Sequence, residues 1–237
     1  MEEKLSGIVL SGVSFGENDK ILTIFTLEQG TVSAKIKGVK KAGAKLKFAA
    51  EPFCFAEFIF SKNGNMRTVI NASLIDSFYP IREDLVKYFS AGTIVEYIKK
   101  FLKENIVSSE MFVLAVNSLK EIAYGNRSSY DILVNFLLEG LSLSGYALNL
   151  NGCYKCGVIP KDKIYFDSSI GAFICPDCFS GEGREINLST FLALLDIKNG
   201  RETQREFAIK GLKLLDFYIA VKPEEKLNSL KELIKIS

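Results

Sequence analysis

KIKGVKKAGAKLK, residues 35–47, carries six lysines and no acidic residue, and it lies between segments that alternate like β-strands. Six like charges so close together repel one another, a cost that an anionic partner would relieve. In TVSAKIKG, Val32, Ala34 and Ile36 share one face while Ser33, Lys35 and Lys37 share the other; in KLKF, Leu46 and Phe48 oppose Lys45 and Lys47. Four lysines are therefore expected on the outward faces of two strands. Lys40 and Lys41 fall on the connection, where Gly38 and Gly43 allow mobility or close approach. Two readings follow: a polyanion lies across this surface, or the lysines guard edge strands against aggregation.

The β pattern extends in both directions. Segments 6–13, 20–27, 31–37, 46–60 and 66–78 are rich in Val, Ile, Thr and Phe, and Gly16, Gln29-Gly30, Gly38, Gly43 and Asn63-Gly64 punctuate them. Five short strands in one stretch predict a small closed barrel, because closure removes exposed edges. An OB-type barrel is the first choice and an SH3-like barrel the rival. OB-type barrels bind single strands through a charged groove with stacking aromatics, which favours the polyanion reading. Phe15, Phe25, Phe48, Phe53, Phe55, Phe58 and Phe60 are available, most for the core and one or two at best for stacking.

At Pro80 the pattern changes. Pro-Ile-Arg-Glu-Asp sets proline and two carboxylates where a helix N-terminus favours them, so a helix is predicted to begin there. Apolar residues then recur at helical spacing, with further helices over 110–124, 130–144, 188–197, 205–221 and 224–234. The fold class is α+β multidomain: an OB-type barrel over 1–79, a helical domain over 80–150 and 185–237, and an inserted four-cysteine module over 151–184.

That module holds CYKC and CPDC, placing Cys153, Cys156, Cys175 and Cys178 in two C-x-x-C pairs eighteen residues apart. Each pair can span one edge of a tetrahedron around zinc, and IYFDSSIGAFIC between them reads as a hairpin that brings the pairs together. Redox dithiols and incidental thiols are the alternatives. Four thiolates close the coordination shell, so the expected Zn²⁺ is structural, one per chain. Lys155, Lys161 and Lys163 of the module are either further phosphate contacts or a solvated surface. Cys54, in FCFAEF, reads as a small buried hydrophobe.

Composition narrows the function. The net charge is +2, from 30 basic and 28 acidic residues, so any polyanion site is local. MEEKLSGIVL has acidic residues where a secretory signal needs positive ones, and residues 131–150, the most apolar stretch, are interrupted by Asp131, Asn135, Glu139 and Gly140. A cytoplasmic, non-membrane protein is expected. The sequence contains no histidine, no phosphate-binding G-x-x-x-x-G-K-[ST] loop and no dinucleotide fingerprint, so no catalytic residue is assigned. A protein-interaction scaffold without direct DNA binding is the alternative function, and a metal-dependent nuclease or deaminase the third.

GENDKILTIFTLEQG (16–30), KGVKK (37–41), SGYALNLNGCYKCG (144–157), the second CPDC and the terminal KLNSLKELI (226–234) together resemble the RecO family of bacterial DNA repair proteins. The resemblance covers essentially the whole chain. It implies an N-terminal OB domain, a helical domain interrupted by the zinc module, and no hydrolytic activity. It further implies binding of single- and double-stranded DNA and annealing of complementary strands. With RecR as partner, the family loads recombinase onto DNA coated by single-strand-binding protein, whose acidic C-terminal tail docks among the helices. By position, its basic OB surface corresponds to Lys35, Lys37, Lys40, Lys41, Lys45 and Lys47, and its zinc to the four cysteines. Nucleoid association when bound to DNA follows from the same resemblance.

Overall fold

The structure, a computed structural model, describes residues 2–63, 66–181 and 183–237. Its first element, β1 (Glu2–Phe15), is long enough to serve two neighbours: residues 2–8 pair with β4 (Phe55–Asn63) and residues 7–15 with β2 (Asp19–Thr26). The register shifts between Val9 and Ser11, and such a bulge bends a strand and increases its twist. With β3 (Gly30–Ile36) and β5 (Met66–Asp76) the strands close in the order β1-β2-β3-β5-β4. Among the described residues of the barrel, only the β3–β5 pairing is parallel. This is the expected five-stranded, OB-like barrel. The predicted turn at Asn63-Gly64 falls on Gly64, outside the described residues.

The expected alternation of β3 is observed: Val32, Ala34 and Ile36 join Val9, Leu22, Ile24, Phe58, Phe60 and Val69 in the barrel core. Fully burying such side chains contributes about 1.5–3 kcal/mol each. The fourth strand differs from its expected bounds, beginning at Phe55 rather than at residue 46. Residues 37–54 run instead as successive turns, with a short 3-10 helix at Phe48–Ala50. The reason lies in where the apolar side chains go. Val39, Ala49 and Ala50 are buried in the barrel core, with Leu46 and Phe48 packed against it, so the segment satisfies them without pairing as a strand. Pro52, which has no N–H to offer a ladder, and Phe53, at φ 70°, then separate it from β4.

Pro80 opens a 3-10 turn over Tyr79–Glu83 rather than an α-helix; α1 starts at Leu85 and runs to Phe101. α2 (Ser109–Tyr124) and α3 (Ser129–Leu143) end before Gly125 and Gly145 as expected, and Gly145 adopts φ 83°. α4 (Leu188–Lys198) and α5 (Arg205–Val221) match their predicted bounds within a residue. α6 covers Asn228–Ile236, later than the predicted 224–234, because Glu224 sits at φ 60°, outside helical space. No helix among the described residues is long and apolar enough to cross a membrane.

The chain forms two compact units, residues 1–85 with 95–123, and residues 86–94 with 124–237. In the first, Phe112 of α2 packs on Phe25 and Phe55, with ring centroids 5.4 and 5.9 Å away. The chain approaches itself closely here: at Gly30, φ 68°, an added Cβ would lie 2.1 Å from the Ile106 carbonyl oxygen. Gly30→Ala is expected to destabilise this unit by about 2 kcal/mol or more, since the left-handed conformation and a backbone clash both oppose it. Chemical denaturation checks this.

In the second unit, β6 (Asn149–Cys153), β7 (Lys163–Asp167), β8 (Ala172–Ile174) and β9 (Arg184–Asn187) form a sheet ordered β6-β8-β7-β9. The predicted hairpin is β7–β8, in which Phe166 faces Phe173. β6 and β9 were not expected. Each is only four or five residues long, too short for a periodicity to show. β9 runs directly into α4, whose first turn is capped by the Asn187 side chain accepting from Ser189 N. Phe166, Phe173, Phe191 and Tyr218 interlock the sheet with α4 and α5.

Candidate nucleic-acid interface and candidate metal centre

The six lysines of residues 35–47 share one continuous segment of the barrel unit but not one environment. Lys37, Lys40, Lys41, Lys45 and Lys47 are exposed, and none holds an ion pair among the described residues. Lys45 and Lys47 stand on turns rather than on a strand face, and Lys37 lies one residue past the end of β3. Their exposure comes from a segment tied down by Val39, Leu46 and Phe48 between them, which leaves the intervening lysines no inward option. The Lys40 N–H donates to the Asn18 carbonyl at 3.0 Å, and the Lys41 N–H to that of Gly38 at 3.2 Å. The basic segment is thus fastened at its base.

Lys35 differs. Its Nζ lies 2.8 Å from Asp19 Oδ2 and 4.6 Å from the centroid of the Phe15 ring, and the side chain is only 21% exposed. Asp19 also accepts from the Gly38 N–H at 2.8 Å. The Lys35 hydrogen bond, with the Gly38 N–H second, holds the Asp19 carboxyl below its ordinary 3.8. A depressed carboxyl contributes stability above the unfolded value and loses it as pH falls through the folded one. The Asp19 tie is therefore expected to persist into more acidic solution than an unpaired aspartate would allow before it opens, a point that NMR titration of its carboxyl carbon checks. Asp19 was not singled out from sequence, because only the register of β2 against β3 brings it beside Lys35.

The four module cysteines converge. Their sulfurs all lie within 4.8 Å of one another, and Cys156 Sγ is 3.7 Å from Cys175 Sγ. Four sulfurs about 2.3 Å from one tetrahedral ion would be roughly 3.8 Å apart, so the spacing fits a single metal ion. Cys153 ends β6, where its carbonyl accepts from the Gly157 N–H at 2.7 Å and its N–H donates to Val158 at 2.9 Å, wrapping the first pair. Gly152, φ 95°, permits the tight return: a Cβ there would meet the Gly157 oxygen at 2.6 Å. Cys175 precedes the 3-10 turn Pro176–Cys178, which presents the second pair.

Burial pushes the Cys153 thiol up, but the N–H groups of Cys175, Cys156 and Lys155 outweigh it and bring it down to about 6. Hydrogen bonding to the Cys175 and Cys156 sulfurs pushes Cys178 up to about 12, and burial raises Cys175. One thiolate forms readily while Cys175 and Cys178 hold their protons more firmly, and a divalent cation would displace those protons. Around the sulfurs, Tyr165 stacks on Phe179 with centroids 3.7 Å apart, and Lys155 donates to the Cys178 carbonyl at 3.0 Å and to Ser180 Oγ at 3.2 Å. Lys163 pairs with Glu185 at 3.2 Å. Cys54 is not a member of this group; it is 1% exposed, its thiol pushed up to about 12 by burial.

Comparison with known proteins matches both halves of the chain. Residues 1–78 match the family model described as recombination protein O N terminal, and residues 82–231 the one described as recombination protein O C terminal. The DNA repair protein RecO of Acetivibrio thermocellus is 33% identical over 186 residues, covering 78% of this chain and 74% of that one. The protein of the same name from Desulforamulus reducens is 33% identical over 187 residues, 78% and 72% of the two chains. That from Bacillus pumilus is 30% identical over 194 residues, 81% and 74%. With both halves matched in order, around a closed barrel and a four-thiol cluster, the chain belongs to the RecO family of DNA repair proteins.

Proposed function

We propose that this chain is a non-enzymatic DNA-binding protein of recombinational repair. It binds single- and double-stranded DNA, promotes annealing of complementary strands and, with RecR, helps to load recombinase onto DNA coated by single-strand-binding protein, whose C-terminal tail it engages. It acts in the cytoplasm, on the nucleoid when bound to DNA. The barrel over residues 1–79 is the DNA-binding domain, the helices over 80–150 and 185–237 a second domain, and residues 151–184 an inserted module holding one structural Zn²⁺ on Cys153, Cys156, Cys175 and Cys178. Zinc is favoured over other ions because an all-sulfur, four-ligand set of this spacing suits it.

The observation that carries the reading is the row of exposed lysines, Lys37, Lys40, Lys41, Lys45 and Lys47, on a segment anchored to the barrel core. Annealing is downhill once strands meet, so a protein need only screen phosphate repulsion and hold the strands near one another. Lysines on a rigid base do this without nucleotide hydrolysis. Salt-titrated binding and annealing assays test the reading. If the five exposed lysines meet phosphates, single-strand affinity falls with log salt at a slope of about −3.5, from roughly −0.7 per contact. Undetectable or salt-insensitive binding would overturn it and favour an interaction scaffold.

A further inference from the structure

Eight phenylalanines lie in residues 1–79, and their environments separate one from the rest. Phe25, Phe53, Phe58, Phe60 and Phe78 are at most 3% exposed, Phe48 and Phe55 are partly buried, and Phe15 is 45% exposed. Phe15 closes β1 opposite Asp19, the first residue of β2. Its neighbours on the outer surface follow from the register: Val13 faces Ile21, Ile21 faces Lys35, and Thr23 faces Ser33. Leu22, Ile24, Val32, Ala34 and Ile36 point into the core, so this set points outward from strands β1, β2 and β3. The outer face of strands 2 and 3, with the loop joining strands 1 and 2, is where OB-type barrels bind oligonucleotides.

The Phe15 ring is also held in place. Lys35 Nζ covers it at 4.6 Å, within cation–π range, and Lys35 is itself fixed by its 2.8 Å ion pair with Asp19. An exposed aromatic that is pre-oriented loses little freedom when it takes a stacking partner. A ring of this kind attracts the flat face of a heterocycle, and every nucleobase has one, although bases within a duplex have theirs occupied by neighbours.

We propose that Phe15 is a stacking platform for an unpaired nucleobase, positioned by Lys35 and Asp19, at the edge of the basic segment. Lys35 then serves chiefly to orient the ring, and the exposed lysines beyond it track the phosphates. This rests on the reading of the barrel as a single-strand binding domain and adds selectivity for single over double strands.

The test uses the full chain with labelled oligo-dT and with the same strand annealed to its complement. Phe15→Ala should weaken single-strand binding roughly 5- to 150-fold, equivalent to about 1–3 kcal/mol, and leave duplex binding within about twofold. The slope of log affinity against log salt should not change, because no phosphate contact is lost. Since the sequence contains no tryptophan, Phe15→Trp supplies a single emission signal at this position, which should be quenched at saturating oligo-dT. Unchanged affinity in Phe15→Ala, an equal loss on duplex, or unquenched Phe15→Trp emission with the strand bound would each overturn the stacking role. If wild-type protein fails to bind the single strand, the reading of the barrel falls together with this proposal; if only the lysine variants lose affinity, the stacking role alone falls.

Discussion

Cys156→Ser is expected to release the metal and open the four-cysteine module. Cys156 is the exposed member of the set, so its replacement removes almost no packing, and any loss of structure traces to coordination. Structural zinc in finger peptides contributes on the order of 10 kcal/mol, and a quarter of that, about 2.5 kcal/mol, corresponds to some 60-fold in affinity for one thiolate. The sulfurs sit against a small cluster, Cys153, Ile174 and Cys175 with Tyr165 and Phe179 packed on it, which is too little apolar surface to hold the two cysteine-bearing loops unaided, although the sheet behind them is packed on α4 and α5. Elemental analysis should show one zinc per wild-type chain and less in the variant, and limited proteolysis should cut the variant within the module. A variant that retained full zinc and wild-type protection would refute the metal assignment. Affinity for the ion should also fall in acid, because the thiols must lose their protons to bind it.

Reversing Lys37, Lys40 and Lys41 to Glu together should abolish most single-strand binding. Each phosphate contact contributes about 0.7 to the salt slope, so three lost contacts lower affinity about 100-fold at 0.1 M salt relative to 1 M, and the added carboxylates lower it further. The slope itself should become shallower by about 2. All three residues are exposed, and the anchors of their segment, Val39, Leu46 and Phe48, are untouched, so barrel stability should hold. A triple variant that binds and anneals as wild type would remove the basic segment from the interface. Lys35 is left out deliberately: breaking its pair with Asp19 would disturb the tie to the Gly38 N–H and confuse a charge effect with a structural one.

Strand alternation in TVSAKIKG predicted which side of β3 is buried, and it did so because the hydrophobic effect acts on a period of two once a strand has one face in a core. The same reasoning failed across KLKF. Leu46 and Phe48 do alternate with Lys45 and Lys47, but a turn-rich segment also exposes every second residue when its apolar members drop into the core, so a pattern four residues long does not separate the two. The proline at position 80 marked a boundary correctly and an element incorrectly, since its fixed φ suits a 3-10 turn as well as an α-helix. Both α2 and α3 stop before a glycine as read, and at Gly145, in the left-handed conformation, the reason is a local backbone requirement that needs no tertiary partner.

By itself, then, the order of residues determined the barrel-then-helices plan, the bounds of α5 and the pairing of the two C-x-x-C motifs, all of which rest on local periodicity or fixed spacing. Tertiary structure decided what depends on register and on competition for the core. It joined β1 to β4 to close the barrel, laid β6 and β9 beside the predicted hairpin, and set the four sulfurs within reach of one ion. It also drew Lys35 out of the basic row, onto Asp19 and the one exposed phenylalanine of the barrel, because Lys35 lies sixteen residues after Asp19 and twenty after Phe15 and meets them only where three strands lie side by side.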